Sequence, residues 1–477
     1  MGDRSRSRNT DPHRDVGGRL SDYHAFVAQK SFRDVAHGFA ADNLPDALFP
    51  FQRDIVRWAC ERGRAAIFAD TGLGKTAMQL SWAHAVATHT NANVLVLAPL
   101  CVAHQTVREG EKFGIPIHYG RQQSDVRPGV NITNYEMMDR FDLESFSGIV
   151  LDESSILKSH DGKTRNALIT ACQFVPYRLS CTATPSPNDH MELGNQSEFL
   201  GIMGMTEMLA MFFTHDGSDT SQWRLKGHGK AKFWEWLATW AVVIRSPADL
   251  GYDASAYQLP GLDIHNHVVE SDVPEGHLFV APAAGLLERN RARRESVGGR
   301  VERISEIVNE SSEQWIVWCH LNDESDLLES KIDGANAVKG ADSIDQKEAA
   351  LDAFTEGSLR VLVTKPSIAG FGMNWQHCSH MAFVGLSDSW EQYYQAIRRC
   401  YRYGQKKRVQ VHIVSAETEG AVVENIKRKQ AQADELGAQM VGHMRDLMQK
   451  SVLKAQSEKT IYRPTKIMEV PSWVRPH

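Results

Sequence analysis

At 477 residues the chain has room for two or three domains, each with a core of its own. Its 42% apolar and 23% charged composition is that of a soluble globular protein, and no apolar run approaches a membrane span. A formal net charge of −6 excludes a generally basic nucleic-acid coat, so any nucleic-acid contact has to come from local patches.

The first 46 residues, opening MGDRSRSRNTDPHRDVGG, read as a polar, partly disordered leader. They contain no hydrophobic segment to act as a signal peptide, and Arg6 stands where a myristoylation signal needs Ser or Thr. Seven scattered cysteines without a C-x-x-C pair point to a reducing, intracellular compartment. Phe49-Pro50-Phe51-Gln52 then introduces a helix with Ile55, Val56 and Trp58 toward its buried side. The Gln52 amide has the donor and acceptor needed to pair with an adenine edge, although in isolation such a residue is an ordinary surface Gln.

Residues 65–76, AAIFADTGLGKT, run from an apolar strand through Gly72 and Gly74 into Lys75-Thr76 and a helical stretch. That order is strand, phosphate loop, helix. Backbone N–H groups and the helix N-terminus face an anion, Lys75 neutralises phosphate oxygens and Thr76 ligates Mg²⁺. Ala69 replaces the first Gly of the common pattern.

Strand-like runs at 93–99, 130–135, 148–153 and 177–185 alternate with helical stretches, as in a helix-covered parallel sheet. Ligands of such sheets bind beyond the carboxyl ends of the strands, where Asp152, Glu153, Thr182 and Thr184 fall. Asp152 is suited to holding Mg²⁺ and Glu153 to orienting the water that attacks a γ-phosphate.

Residues 201–260 break the rhythm. Phe233, Trp236, Leu237, Trp240, Ala241 and Ile244 share one face if the segment is a single helix, and the polar stretch 215–230 reads as a mobile loop rather than a metal site. Runs at 314–320, 336–340, 360–366, 380–386 and 409–414 then predict a second parallel sheet without a phosphate loop. His377, Cys378 and His380 at one strand entrance read as local packing. Arg399 and Arg402, three residues apart, predict two cations on one helical face reaching across a cleft; an arginine from a second lobe supplies roughly 10³ to 10⁵ in phosphoryl-transfer rate. A long helix with Leu436, Met440, Met444 and Leu447 on one side braces the lobes, and the Pro-containing segment 462–477 reads as an extended tail.

In this order, ADTGLGKT, DESS, TATPSPNDHMEL (182–193), SIAGFGMN (367–374) and QAIRRCYRYGQ (395–405) resemble the superfamily-two DEAD/DEAH-like helicases. The TxTPxxNxxxEL and QAxxRxxRxGQ segments are similar to the Swi/Snf branch of DNA translocases, and the compact form resembles phage-encoded helicases, which implies phage or bacterial host cytoplasm. The likeness runs from about residue 48 to 415.

The resemblance implies an α/β fold of two RecA-like P-loop NTPase lobes with a helical insertion and a C-terminal brace helix. The expected layout is leader 1–46, ATP-binding lobe 47–200, insertion 201–260, linker 261–300, second lobe 301–415, and helix with tail 416–477. ATP and Mg²⁺ are the implied cofactors. Gln52 would recognise adenine; Gly72, Gly74, Lys75 and Thr76 would hold phosphates and metal; Gly372 and Asn374 would meet the nucleotide from the second lobe; and Gln395 shares that surface. Arg399 and Arg402 would be the finger arginines, with Thr182 and Thr184 coupling hydrolysis to lobe movement.

DNA, duplex or single-stranded, is the implied partner, and Pro99, His104, Gln105, Thr133, Asn134, Tyr135, His320 and Ser367 match backbone-contacting motifs. Such contacts carry little sequence preference and strong salt sensitivity. Ser154-Ser155 replace the usual small residue and His, which bears on coupling, and Lys347 stands where Arg is common. With no RING-like, chromodomain or nuclease motif in view, a protein loading partner is expected from elsewhere. The implied activity is an ATP-dependent DNA helicase or translocase; the alternatives are an RNA helicase and a hydrolysis-deficient nucleic-acid scaffold.

Overall fold

The computed structural model describes residues 36–99, 102–158, 162–186, 189–216, 219–270, 293–369 and 373–453. Most of the expected leader and all of segment 462–477 lie outside them. Residues 36–46, expected in the leader, are instead tied to the fold: the backbone N–H groups of His37, Gly38 and Phe39 donate to Arg62, Glu61 and Cys60 at 3.0–3.2 Å. The Phe39 ring stacks on His89 at 3.9 Å.

The apolar runs of the N-terminal half become β1 (Arg64–Ala69), β2 (Val94–Ala98), β4 (Val130–Asn134), β5 (Gly148–Asp152) and β6 (Tyr177–Thr182), and a short strand outside those runs, β3 (Ile117–Tyr119), joins them. A hairpin follows, β7 (Phe213–Asp216) and β8 (Asp219–Leu225), where the sequence predicts a polar loop. Its His215 lies against the Trp223 ring at 3.8 Å. The helix Lys230–Trp240 stops short of the expected face: Ala241–Ile244 is β9, hydrogen-bonded to β1. Val242, Val243 and Ile244 are β-branched and fully enclosed, which favours extended chain there. The segment 201–260 is therefore partly lobe rather than wholly a helical insertion.

These strands form one parallel sheet of seven, ordered β3-β4-β2-β5-β6-β1-β9. The second sheet has six parallel strands: β10 (Leu262–Val269), β11 (Trp315–Trp318), β12 (Ala335–Val338), β13 (Val361–Thr364), β14 (His380–Val384) and β15 (Val409–Ala416), ordered β10-β15-β14-β11-β13-β12. The predicted linker thus supplies an edge strand. Helices cover both sheets, as two RecA-like lobes require. No helix among the described residues is long and apolar enough to cross a membrane.

The 33-residue helix Gly420–Val452 joins the two cores. Val422 and Ile426 pack in the second-lobe core, and Met440, Met444 and Met448 in the first. Met440, Met444 and Leu447 follow the predicted stripe, while Leu436 lines a small cavity between the lobes.

In the second lobe, Arg300 is fully enclosed and donates to Glu324 Oε1 at 2.8 Å, Val384 O at 2.9 Å and Ser296 Oγ at 3.0 Å. Glu324 in turn accepts from the backbone N–H groups of His320 and Leu321. Removing one partner strands a buried charge, which costs about 3–5 kcal/mol. Arg300→Ala is expected to lower the unfolding free energy by that amount, whereas the exposed pair-breaker Lys232→Ala should leave it nearly unchanged; urea denaturation of both variants checks this.

Candidate functional site: a cleft between two sheets

The phosphate loop leaves the carboxyl end of β1. Gly72 and Gly74 have φ of 92° and 79°, a region that glycine enters without steric cost, and the helix Lys75–Thr90 begins directly after them. Lys75 Nζ donates to Ala69 O at 2.8 Å and reaches Asp70 O at 3.4 Å, so its charge lies inside the loop. Burial lowers its pKa, against the pull of Glu153, Asp70 and Asp152.

A cleft of about 280 Å³ gathers Gly72, Gly74, Lys75, Thr76, Asp152 and Glu153 from the first lobe with Asn374, Gln395, Arg399 and Arg402 from the second. Gly372 lies outside the described residues. Polar atoms aimed here lack protein partners: Asn374 Oδ1, Gln395 Nε2 and Arg402 Nε are all enclosed and unpaired. Three cations, two glycine-opened backbone turns and a carboxylate pair are a donor set that suits a polyphosphate with a divalent ion.

Glu153 has a φ of 58°, a left-handed conformation that costs a non-glycine residue about 1–3 kcal/mol. Its carboxylate is fixed from two sides: Thr182 Oγ1 donates to Oε1 at 2.5 Å and Ser155 Oγ at 3.2 Å. Thr182 Oγ1 also accepts from Thr184 N at 3.1 Å. Ser155, the departure from the family pattern, is therefore a Glu153 partner.

The arginines differ from expectation. The helix Trp390–Ile397 ends before them, so Arg399 and Arg402 lie in the following turn and not on a helical face. Both donate to Met373 O, at 3.1 and 3.2 Å, and Arg399 also donates to Gln395 Oε1 at 2.8 Å. Burial and the neighbouring Arg402 lower the Arg399 pKa to about 9.

Gln52 lines the cleft but works on the loop itself: Oε1 accepts from Phe49 N at 3.0 Å and Nε2 donates to Leu73 O at 2.9 Å. Sequence reasoning missed the aromatic rim beside it, where Tyr257 stacks on Tyr403 at 4.5 Å and Phe49 meets Tyr257 edge-on at 5.9 Å. It also missed Asp70, which joins the second lobe through Tyr394 and Arg398. The Tyr394–Arg398 spacing of four was readable as a helix-side pair, but its partner was not.

The expected nucleic-acid residues divide. Thr133, Asn134 and Tyr135 are all buried: Asn134 Oδ1 accepts from Met137 N at 3.1 Å and Tyr135 donates to Asp152 O at 2.8 Å, while Thr133 Oγ1 and Asn134 Nδ2 have no protein partner. Asn134 and Tyr135 brace the ends of β4 and β5. His104 pairs with Glu348 of the second lobe at 2.9 Å, beside Arg108, which grips Asp352 at 2.8 and 3.3 Å. Gln105 donates to Glu109 at 3.3 Å, Pro99 follows β2, and Ser367 is exposed. Burial, reinforced by Arg293, Arg300 and Lys365, lowers the His320 pKa to about 3, so this ring is neutral.

Two parallel-sheet lobes share the phosphate-loop cleft, and residues 299–404 match the helicase conserved C-terminal domain. Among relatives, 34% of the chain is 26% identical to the DNA annealing helicase and endonuclease ZRANB3 of Mus musculus, and the Homo sapiens protein matches equally. The chain spans 17% of the mouse relative's length and 16% of the human one's. Protein p41 of Acyrthosiphon pisum secondary endosymbiont phage 1 is 26% identical over 420 residues, covering 73% of this chain and 87% of that one. These similarities support a helicase relationship.

Burial, then Glu153, raises the Asp152 pKa to about 6 from an ordinary 3.8. Because the folded value is the higher one, this group's contribution to stability is present below 3.8 and is lost as pH rises through about 6. Asp152→Asn is therefore expected to melt above the parent protein at pH 8 and by a smaller margin at pH 5, in Mg²⁺-free buffer without nucleotide. Thermal denaturation at the two pH values measures the gap, and an equal gap at both contradicts the assignment.

Proposed function

We propose that the protein is a DNA-stimulated ATPase of the Swi/Snf type, related to compact phage helicases, which hydrolyses ATP to ADP and phosphate to move along DNA. The observation that carries this reading is the single cleft, to which one sheet contributes Lys75, Thr76, Asp152 and Glu153 and the other Gln395, Arg399 and Arg402. Thr76 and Asp152 would hold Mg²⁺, whose charge polarises the phosphates when it is bound. Lys75 leaves its loop carbonyls to bind phosphate oxygens, and Glu153, held by Thr182 and Ser155, orients and deprotonates the attacking water. Arg399 and Arg402, set by Met373 O, neutralise charge on the transferring group, while Asn374 and Gln395 supply unpaired polar atoms. Gly72 and Gly74 shape the phosphate cradle. The base lies against Tyr257, Tyr403 and Phe49, with Gln52 at its edge.

Thr182 and Thr184 pass the state of Glu153 along the end of β6, which is the route from hydrolysis to lobe movement. Pro99, His104, Gln105, His320 and Ser367 supply backbone contacts with DNA in sequence-independent fashion. The chain works inside a cell, in phage or bacterial cytoplasm, with a loading partner to target it.

The test is ATP turnover with no polymer, single-stranded DNA, duplex DNA and RNA. DNA is expected to raise kcat, and Lys75→Ala and Glu153→Gln to lower it by about 10²- to 10⁴-fold. Unchanged turnover in both variants removes the motor reading, and stimulation by RNA alone moves the substrate to RNA. DNA affinity is also expected to fall steeply between 50 and 200 mM salt, with a log–log slope near −0.9 per phosphate contacted; a flat salt titration contradicts backbone binding.

A further inference from the structure

The phosphate loop has a second face. Asp70 sits between β1 and the glycines, and its carboxylate is joined to a segment more than 320 residues away. Tyr394 Oη donates to Asp70 Oδ1 at 2.6 Å, Thr71 N donates to the same oxygen at 2.7 Å, and Arg398 Nη2 lies 3.4 Å from Oδ2. The side chains of Asp70 and Arg398 are only 15% and 16% exposed. Arg398 is held between two rings, 5.0 Å from the Tyr394 centroid and 5.6 Å from that of Tyr401. Burial opposes ionisation of Asp70, yet Arg398 and Tyr394 still leave its pKa below the ordinary value.

What this cluster adjoins gives it a role. Arg398 immediately precedes Arg399, and Tyr394 immediately precedes Gln395, so alternate residues face the loop and the cleft. A second contact lies two residues along the loop, where a Cβ on Gly72 would stand 2.7 Å from Tyr403 N. The turn that carries both finger arginines is thus pinned to the loop at each end, by Asp70 at one and Gly72 at the other.

We propose that Asp70, Tyr394 and Arg398 form an interlobe latch that docks the arginine turn on the phosphate loop and so positions Arg399 and Arg402 for the reaction. The three are positioning residues: none needs to touch ATP, and each acts through the arginines. This rests on the ATPase reading above. The latch aligns charge on the transferring phosphoryl group, so its loss falls on kcat. Nucleotide binding, which Lys75 and the glycines carry, is left nearly intact. Misplacement of a catalytic group by about 1 Å costs on the order of 10²-fold.

Asp70→Asn, Tyr394→Phe and Arg398→Ala are assayed for DNA-stimulated turnover alongside the Asp70→Asn/Arg398→Ala double variant and Lys75→Ala. The expected result is a kcat about 10- to 100-fold lower for Asp70→Asn and Arg398→Ala with little change in KM for ATP, a smaller loss for Tyr394→Phe, and a double variant no worse than the poorer single. Parental kcat in the single variants overturns the latch, as does a double variant whose losses multiply or a loss confined to KM. Tyr394→Phe deletes one hydroxyl and keeps the ring, so it carries the test if the charge variants fail to fold. Lys75→Ala separates the two readings. If it retains turnover, ATP hydrolysis in this cleft is the idea that fails; if it is inactive while the latch variants match the parent, the latch alone fails.

Discussion

Contact between the second lobe and the outer face of the phosphate loop is the constraint on which the rest of the cleft depends. A loop of this kind has to keep its backbone N–H groups turned inward for an anion, which is why Gly72 and Gly74 take positive φ. In this chain the same glycine geometry has an outward consequence, because Gly72 leaves room for the backbone of Tyr403 to lie against it. A side chain at that position would be strained twice, once in its own φ and once against the second lobe. The loop is thus both the anion cradle and the docking surface for the lobe opposite.

Further ties between the lobes lie away from the loop. His104 and Arg108 meet Glu348 and Asp352, Lys158 pairs with Glu391, and the helix Gly420–Val452 inserts apolar side chains into both cores. These differ in kind. Exposed ion pairs such as Arg108–Asp352 are worth at most about 1 kcal/mol each and are readily exchanged for water. Methionines buried in a core are not. A helix of 33 residues spans about 50 Å and resists stretching, so it limits how far the lobes separate while the exchangeable pairs permit movement within that limit. Ser186 Oγ lies 3.7 Å from Met440 Sδ, so the segment that follows Thr182, the partner of Glu153, also abuts the helix.

Much of this was legible in the sequence because it is written in local pattern. Apolar runs separated by helical stretches located nine of the strands to within a few residues, and the glycines of the phosphate loop and the carboxylates at 152 and 153 follow directly from strand–turn logic. Failures came where tertiary context decides. Ala241–Ile244 fits a helical face by spacing, but an open edge beside β1 recruits it as strand. Thr133, Asn134 and Tyr135 have the polar groups of a backbone-binding motif, yet they lie at a strand end already enclosed by its neighbours, where the Asn134 oxygen and the Tyr135 hydroxyl bond to the protein's own backbone. The latch residues were invisible for another reason: Asp70 and Arg398 are unremarkable alone, and only the meeting of two lobes makes them a pair.

Electrostatics ties the cleft to the chemistry proposed for it. Burial disfavours the charged forms of Lys75, Arg399 and Arg402, and burial with Glu153 disfavours that of Asp152. Lys75, Arg399, Arg402 and Asp152 are thus all held in a setting that resists their ionisation. Glu153, Asp70 and Asp152 offset only part of the burial of Lys75, and Lys75 offsets only part of the burial of Asp152. Simple pairing of the two sets would collapse the space between them. A triphosphate carrying a divalent ion meets both deficits at once, with oxygens toward the lysine and arginines and the metal toward Asp152. Binding would therefore raise the pKa values of the three cations and lower that of the aspartate, and closure of the lobes around such a ligand is favoured by the same burial that penalises each group when it stands without one.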